Sequence, residues 1–186
     1  ALPISESASV VRGLTPYQKE NETQIAEQIG KLSSDGTYTN IAAGIKLAKT
    51  MLEESSREDA EHIIVLLSDG KMEPDPATGT PSNLTSELMN GILPELKAKG
   101  IKVYTVAFSE QADKELLASI ALATEGVNWF TENADKLHQS YADLFLAVKK
   151  PQMVPLTGKG FRIGHLGDQN PAQILGALGG VQAALR

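Results

Sequence analysis

Apolar positions follow two rhythms along this chain. In residues 21–32, "NETQIAEQIGKL", Ile25, Ile29 and Leu32 recur at helical spacing, and Asn21 stands where a cap belongs. Residues 41–55, "IAAGIKLAKTMLEES", place Ile41, Ile45, Ala48 and Leu52 on one face and predict a helix. Residues 63–67, "IIVLL", are uninterrupted, which predicts a strand buried on both faces. A second such run, "IKVYTVAFS", spans residues 101–109, and a short one, "VNWFT", spans 127–131. Between them, residues 86–100 and 112–126 predict helices that end at Gly100 and Gly126. Pro94 inside the first of these predicts a kink or a later start. Residues 133–150 predict a further helix, capped by Asn133, and residues 8–16, "ASVVRGLTP", a short strand closed by a Gly/Pro turn. Residues 70–83 read as a long loop with three prolines.

Strands alternating with helices predict an α/β fold with a doubly wound, mostly parallel sheet and helices on both faces. Ligands of such sheets bind outside the carboxyl ends of the strands. Asp69 follows the run 63–67 directly, in "LLSDG", and so falls at that end. After residue 150 the character changes. "KKPQMVPLTGKG" reads as a linker, "FRIGHLG" (161–167) as a strand, and residues 170–185 as a helix with Asn170 at the cap and Pro171 at its first position. The division is therefore a body over residues 1–150 and a tail over 151–186.

Composition narrows the classes. At 186 residues the chain can bury a core without a disulfide or structural metal. It has no cysteine, which excludes thiolate metal sites and thiol catalysis. Its net charge of −6 argues against nucleic acid as a partner. No apolar run is long enough to span a bilayer, and the N-terminus lacks the pattern of a signal peptide. Nothing names a compartment.

Two segments carry candidate chemistry. Thr39 in "GTYTNIAAGI" precedes a helix, and Asp69 in "IIVLLSDGK" follows a strand. A hydroxyl and a carboxylate from separate loops at one sheet edge suit Mg²⁺ or Ca²⁺, which take hard oxygen ligands and keep waters. These motifs, in this order, resemble the von Willebrand factor type A domain, which includes the integrin I domains. The resemblance runs from about Ile4 to Lys150, with "SESASVVRGLTP" similar to the family's edge strand. It implies a metal ion-dependent adhesion site, in which Thr39 and Asp69 are ligands, direct or through water, and a protein partner completes the shell with an acidic residue. The family's Asp-x-Ser-x-Ser motif is absent, and the chain reads as beginning inside the domain.

Residues 160–185, "GFRIGHLGDQNPAQILGALGGVQAAL", resemble the C-terminal strand and helix of class V pyridoxal-phosphate aminotransferases of the serine–glyoxylate type. That resemblance implies a substrate-carboxylate role for Arg162. No cofactor-binding half or Schiff-base lysine accompanies it, so a fragment or fusion of such an enzyme is the alternative to a non-enzymatic binding module. Two family pieces in one chain suggest a chimera. One expectation joins them: residues 161–166 pair beside residues 63–67, and Asp168 then supplies the missing aspartate near Asp69.

Plainer roles stand beside these. Thr39 and Asn40 can cap the helix at Ile41, and Asp69 before Gly70 can be an ordinary turn. His62, His138 and His165 show no ligand spacing, Glu73 and Asp75 suit a solvated loop, and Trp129 and Phe130 suit the core.

Overall fold

The computed structural model describes residues 4, 6–16, 18–32, 37–54, 60–148, 153–156 and 160–163. In chain order these form α1 (Glu22–Gly30), α2 (Ile41–Glu53), β1 (Ile63–Ser68), α3 (Pro81–Glu87), a π-helical turn (Leu88–Ile92), α4 (Leu93–Ala98), β2 (Lys102–Phe108), α5 (Lys114–Ala123), β3 (Asn128–Thr131), α6 (Ala134–Val148), β4 (Met153–Leu156) and β5 (Gly160–Ile163). Two compact units divide the chain, Ala1–Tyr141 and Ala142–Arg186.

In the first unit β1, β2 and β3 form a parallel sheet in that order, so the α/β expectation holds. Ile63 pairs with Lys102 and Ser68 with Ala107, while Thr105 pairs with Asn128 and Phe108 with Thr131. Side chains alternate across each strand, and paired residues of parallel strands share a face. One face carries Ile64, Leu66, Val103 and Ala107. It packs against Ile41, Ile45, Leu88, Leu93, Leu96, Leu117 and Ile120 in one continuous apolar core.

The strands differ because their neighbours differ. β2 is central, and its residues 103–107 are buried on both faces. Among the described residues β1 pairs with β2 alone, and Val65 and Leu67 are 42% and 41% exposed. The expectation of a strand buried on both faces is thus corrected for β1: an apolar run reports what a strand tolerates, not how many neighbours it has. Phe130 is likewise not core. It is 41% exposed, and the Lys114 ammonium sits 3.8 Å from its ring centre. Trp129 stacks on Tyr104 with ring centres 6.0 Å apart.

Helix ends follow the capping chemistry. The side chains of Asn40, Thr80 and Asp113 accept from the N–H of Ala43, Asn83 and Leu116. The helix predicted from residue 86 starts at Pro81, inside the predicted loop, because Thr80 caps it and Pro81 needs no hydrogen-bonded N–H. Helical turns run from Pro81 through Pro94 to Ala98, so the helix does not start later. The turn before it widens, and the Leu93 N–H donates to the Leu88 carbonyl five residues back. The predicted strand over residues 8–16 is absent among the described residues, where Ala8 makes an isolated bridge with Ile4. Downstream, the Arg12 guanidinium donates to the side chains of Gln24 and Gln28 on α1. The apolar stripe of α1 is not core, since Ile29 is 49% exposed.

In the second unit β4 and β5 form an antiparallel pair, Met153 opposite Ile163 and Leu156 opposite Gly160. The predicted linker therefore holds a strand. The expectation that residues 161–166 add to the parallel sheet beside β1 is overturned, because residues 160–163 pair with β4 instead. A three-residue connection brings these strands together at far lower loop-closure cost than a pairing across a hundred residues.

Ion pairs tie α2 to α4. Lys49 bonds Glu95 at 2.7 Å and Glu53 at 3.2 Å, and Lys99 bonds Glu53 at 2.6 Å. Hydrogen bonds from Lys99, then Lys49, hold the Glu53 carboxyl below its usual range. A carboxyl depressed by folding stabilises the fold above its unfolded value, and that stability is lost as pH falls through the folded value. Glu53→Gln is therefore expected to flatten the fall in Tm between about pH 5 and pH 3. The pair is exposed, so the difference should be small and should shrink in 1 M salt, about a 3 Å screening length.

Candidate functional site

The parallel strands all end on the same side, where β1 runs into Asp69 and Gly70 and β2 into Ser109. Ser68 is buried and its hydroxyl donates to the Gly70 carbonyl at 3.3 Å, which turns the chain out of the sheet. Asp69 is exposed at the turn. Its carbonyl accepts from the Ser109 hydroxyl at 2.8 Å, and the Gly70 carbonyl accepts from the Asp113 N–H at 3.2 Å. The loops after β1 and β2 are thereby stitched together.

Ser109 has φ 98°, a conformation that a residue with a Cβ adopts at a cost of order 1 kcal/mol or more. It is held there because its N–H donates to the Thr131 carbonyl while its hydroxyl also accepts from the Gln111 N–H. Sequence reasoning placed Ser109 at the end of a strand and gave it no role. Its position at a strand's carboxyl end was the available signal.

Thr39 arrives from the loop before α2. Its N–H donates to the Glu73 carbonyl at 2.7 Å, and the Glu73 N–H donates to the Thr39 carbonyl at 3.0 Å. This isolated antiparallel bridge anchors Thr39 to the loop that leaves β1. Capping of α2 falls to Asn40 alone, whose side chain accepts from the Ala43 N–H at 3.0 Å. Thr39 and Asp69 consequently line one cavity of about 310 Å³, together with Ile41, Leu67 and Ser68. Glu73, read as part of a solvated loop, is exposed in its side chain but structural in its backbone.

The donors are hard oxygens, the right kind for Mg²⁺ or Ca²⁺, but few in number. Among the described residues no three His, Cys, Asp or Glu side chains converge. Thr39 and Asp69 would hold such an ion with water filling most of its shell. The Asp113 carboxylate is engaged in capping α5. Asp168 lies outside the described residues, and, among the described residues, 160–163 pair with β4 and not with β1. Arg162 falls in β5, opposite Val154. His62 is half-buried and His138 is exposed, while His165 lies outside the described residues.

Compared with known families, residues 2–143 match the von Willebrand factor type A domain. No curated protein matches the chain. Among solved structures it is similar to a von Willebrand factor type A protein from Catenulispora acidiphila, with TM-score 0.67 and 18% identity over 82% of this chain and 34% of that one. It is also similar to proximal thread matrix protein 1 from the mussel byssus, solved with a zinc-occupied MIDAS motif. There the TM-score is 0.57, with 23% identity over 79% of this chain and 33% of that one. A third is the conserved hypothetical protein BatB from Bacteroides thetaiotaomicron, with TM-score 0.56 and 13% identity over 80% of this chain and 78% of that one. At such identities the likeness is one of fold. The chain spans about a third of the length of the first two structures.

Proposed function

Because the chain belongs to the von Willebrand factor type A domain family, we propose that it is a non-enzymatic protein-binding module, an adhesion or scaffold element that meets its partner at the carboxyl end of the parallel sheet. The observation that carries this reading is the convergence of Thr39 and Asp69 on one cavity at that end. The bridge between Thr39 and Glu73 and the bond from Ser109 to the Asp69 carbonyl hold the two loops in register, so the oxygens are positioned before any ligand arrives. A divalent cation there would be held by the Thr39 hydroxyl and the Asp69 carboxylate, and an acidic side chain from the partner would displace one of its waters.

Two protein oxygens make a weak site, with a Kd of about 1 mM, at the loose end of oxygen-ligand sites. At about 10 mM Mg²⁺ such a site stabilises the fold by roughly 1.4 kcal/mol, a rise in Tm of about 3–5 °C. Asp69→Ala is expected to abolish that rise, and Thr39→Ala to reduce it. Differential scanning calorimetry with and without Mg²⁺ checks this, using EDTA-treated protein as the baseline. An unchanged Tm in the parent protein would mean that the partner is met without a metal.

A further inference from the structure

Ser109 occupies a backbone conformation that glycine would enter freely. Its φ of 98° is disfavoured for any residue with a Cβ. Its backbone bonds need no side chain: the N–H donates to the Thr131 carbonyl at 3.0 Å, and the carbonyl accepts from the Ala112 N–H at 3.4 Å. What serine adds over glycine is the hydroxyl. That group donates to the Asp69 carbonyl at 2.8 Å and accepts from the Gln111 N–H at 3.2 Å. The Asp69 carbonyl belongs to the residue that lines the cavity with Thr39. One residue on, the Gly70 carbonyl accepts from the Asp113 N–H at 3.2 Å. Two bonds therefore fasten the segment after β1 to the loop after β2, and one of them depends on the Ser109 side chain. The bond to Thr131 anchors the base of that side chain to the end of β3.

We propose that Ser109 is the positioning residue of this rim, acting through Asp69 rather than on a ligand. Its hydroxyl fixes the peptide plane that follows Asp69. That plane sets the backbone conformation of Asp69, and the backbone decides which side-chain rotamers are open. The carboxylate is thereby limited in orientation before a cation arrives. The strained φ accompanies this arrangement, in which the N–H reaches Thr131 while the hydroxyl reaches Asp69. This role deepens the cation reading and, for binding, rests on it.

Three substitutions separate position from stability. Ser109→Thr keeps the hydroxyl and increases the strain, because a β-branched residue suits positive φ least. Ser109→Ala removes the hydroxyl and keeps the strain, and Ser109→Gly removes both. In EDTA, S109G is expected to have the highest Tm of the three and S109T the lowest, about 2–5 °C apart. Mg²⁺ affinity, read by chemical-shift titration with the chloride salt, is expected to run the other way. S109T should bind within about twofold of the parent, and S109G and S109A should both bind about five- to tenfold more weakly, as expected for one lost hydrogen bond. Affinity that follows Tm across the variants overturns the proposal; if S109T does not fold, S109G and S109A still differ in Tm and must agree in affinity. A second readout needs no metal. In EDTA the Asp113 amide, whose acceptor is the Gly70 carbonyl, should exchange at least about fivefold faster in S109G and S109A, with the buried Val103 amide as the measure of global opening. An unchanged Asp113 rate in both variants overturns the proposal. If the parent binds no Mg²⁺, the cation reading fails, and the exchange rates alone uphold or overturn the role of Ser109.

Discussion

Gly126→Ala is expected to cost about 3 kcal/mol and to lower Tm by roughly 8 °C. A Cβ built on Gly126 falls 2.0 Å from the Val103 carbonyl oxygen and 2.7 Å from the carbonyl carbon. Both are backbone atoms of β2, the strand with a partner on each side. The strand cannot yield, because the Val103 N–H donates to the buried Thr124 hydroxyl and Tyr104 is held in register with Val65 of β1. The helix end cannot yield easily either. The Gly126 N–H donates to the Ala121 carbonyl at 2.8 Å, and the preceding Glu125 already has φ 60°. The requirement is space, not a left-handed backbone. Gly91 has nothing within 4 Å of the same construction, so Gly91→Ala serves as the control and should leave Tm unchanged or slightly raised. Thermal unfolding by circular dichroism decides it, and a loss below about 1 kcal/mol at Gly126 would show that β2 and α5 separate more readily than their bonds imply.

Gly126 shows how far local signals reach. As a helix stop it was legible; as the point where α5 touches the central strand it was not, because that contact joins residues 23 positions apart. The same boundary runs through the fold. The alternation of helical faces and apolar runs gave β1, β2, β3 and α2 within a residue or two and α5 within three, since those patterns arise from each element's own burial. What depended on neighbours was misjudged. β1 and β2 look alike in sequence, yet among the described residues only β2 has two partners, and Val65 and Leu67 of β1 are exposed. Residues 161–166 were expected beside β1, but residues 160–163 pair with β4, the nearest partner in sequence. Pro94 was read as a kink or a later start, and the turn before it is π-helical, with α4 following from Leu93.

For the site, the convergence of Thr39 and Asp69 followed from one rule, that loops at the carboxyl ends of parallel strands share a rim. The geometry adds what a rule of that kind omits. Thr39 does not reach Asp69 by virtue of α2 alone. It is carried there by a two-bond bridge to Glu73, 34 residues on, within a segment whose prolines and acids announced only a loop. Ser109 then ties the Asp69 carbonyl to β2. The order of the rim is thus a property of backbone bonds between loops, which composition does not display.

Fold and rim meet at Ile41, and Ile41→Ala is expected to damage both. Its side chain is fully buried in the core, and the same residue lines the cavity shared by Thr39 and Asp69. Truncation removes most of a buried side chain and leaves a void, a loss of about 3 kcal/mol at a packed site. Ile41 follows Asn40, the cap of α2, and lines the same cavity as Thr39, so truncation is expected to loosen the loop that carries Thr39 as well as the core. Ile41→Val keeps the β-branch and should cost only about 1 kcal/mol. Urea unfolding measures the first effect. The second is read from the Mg²⁺-dependent rise in Tm, which should vanish in Ile41→Ala and survive in Ile41→Val. If both variants keep the full rise, the position of Thr39 does not depend on the core beneath it, and the bridge to Glu73 alone orders the rim.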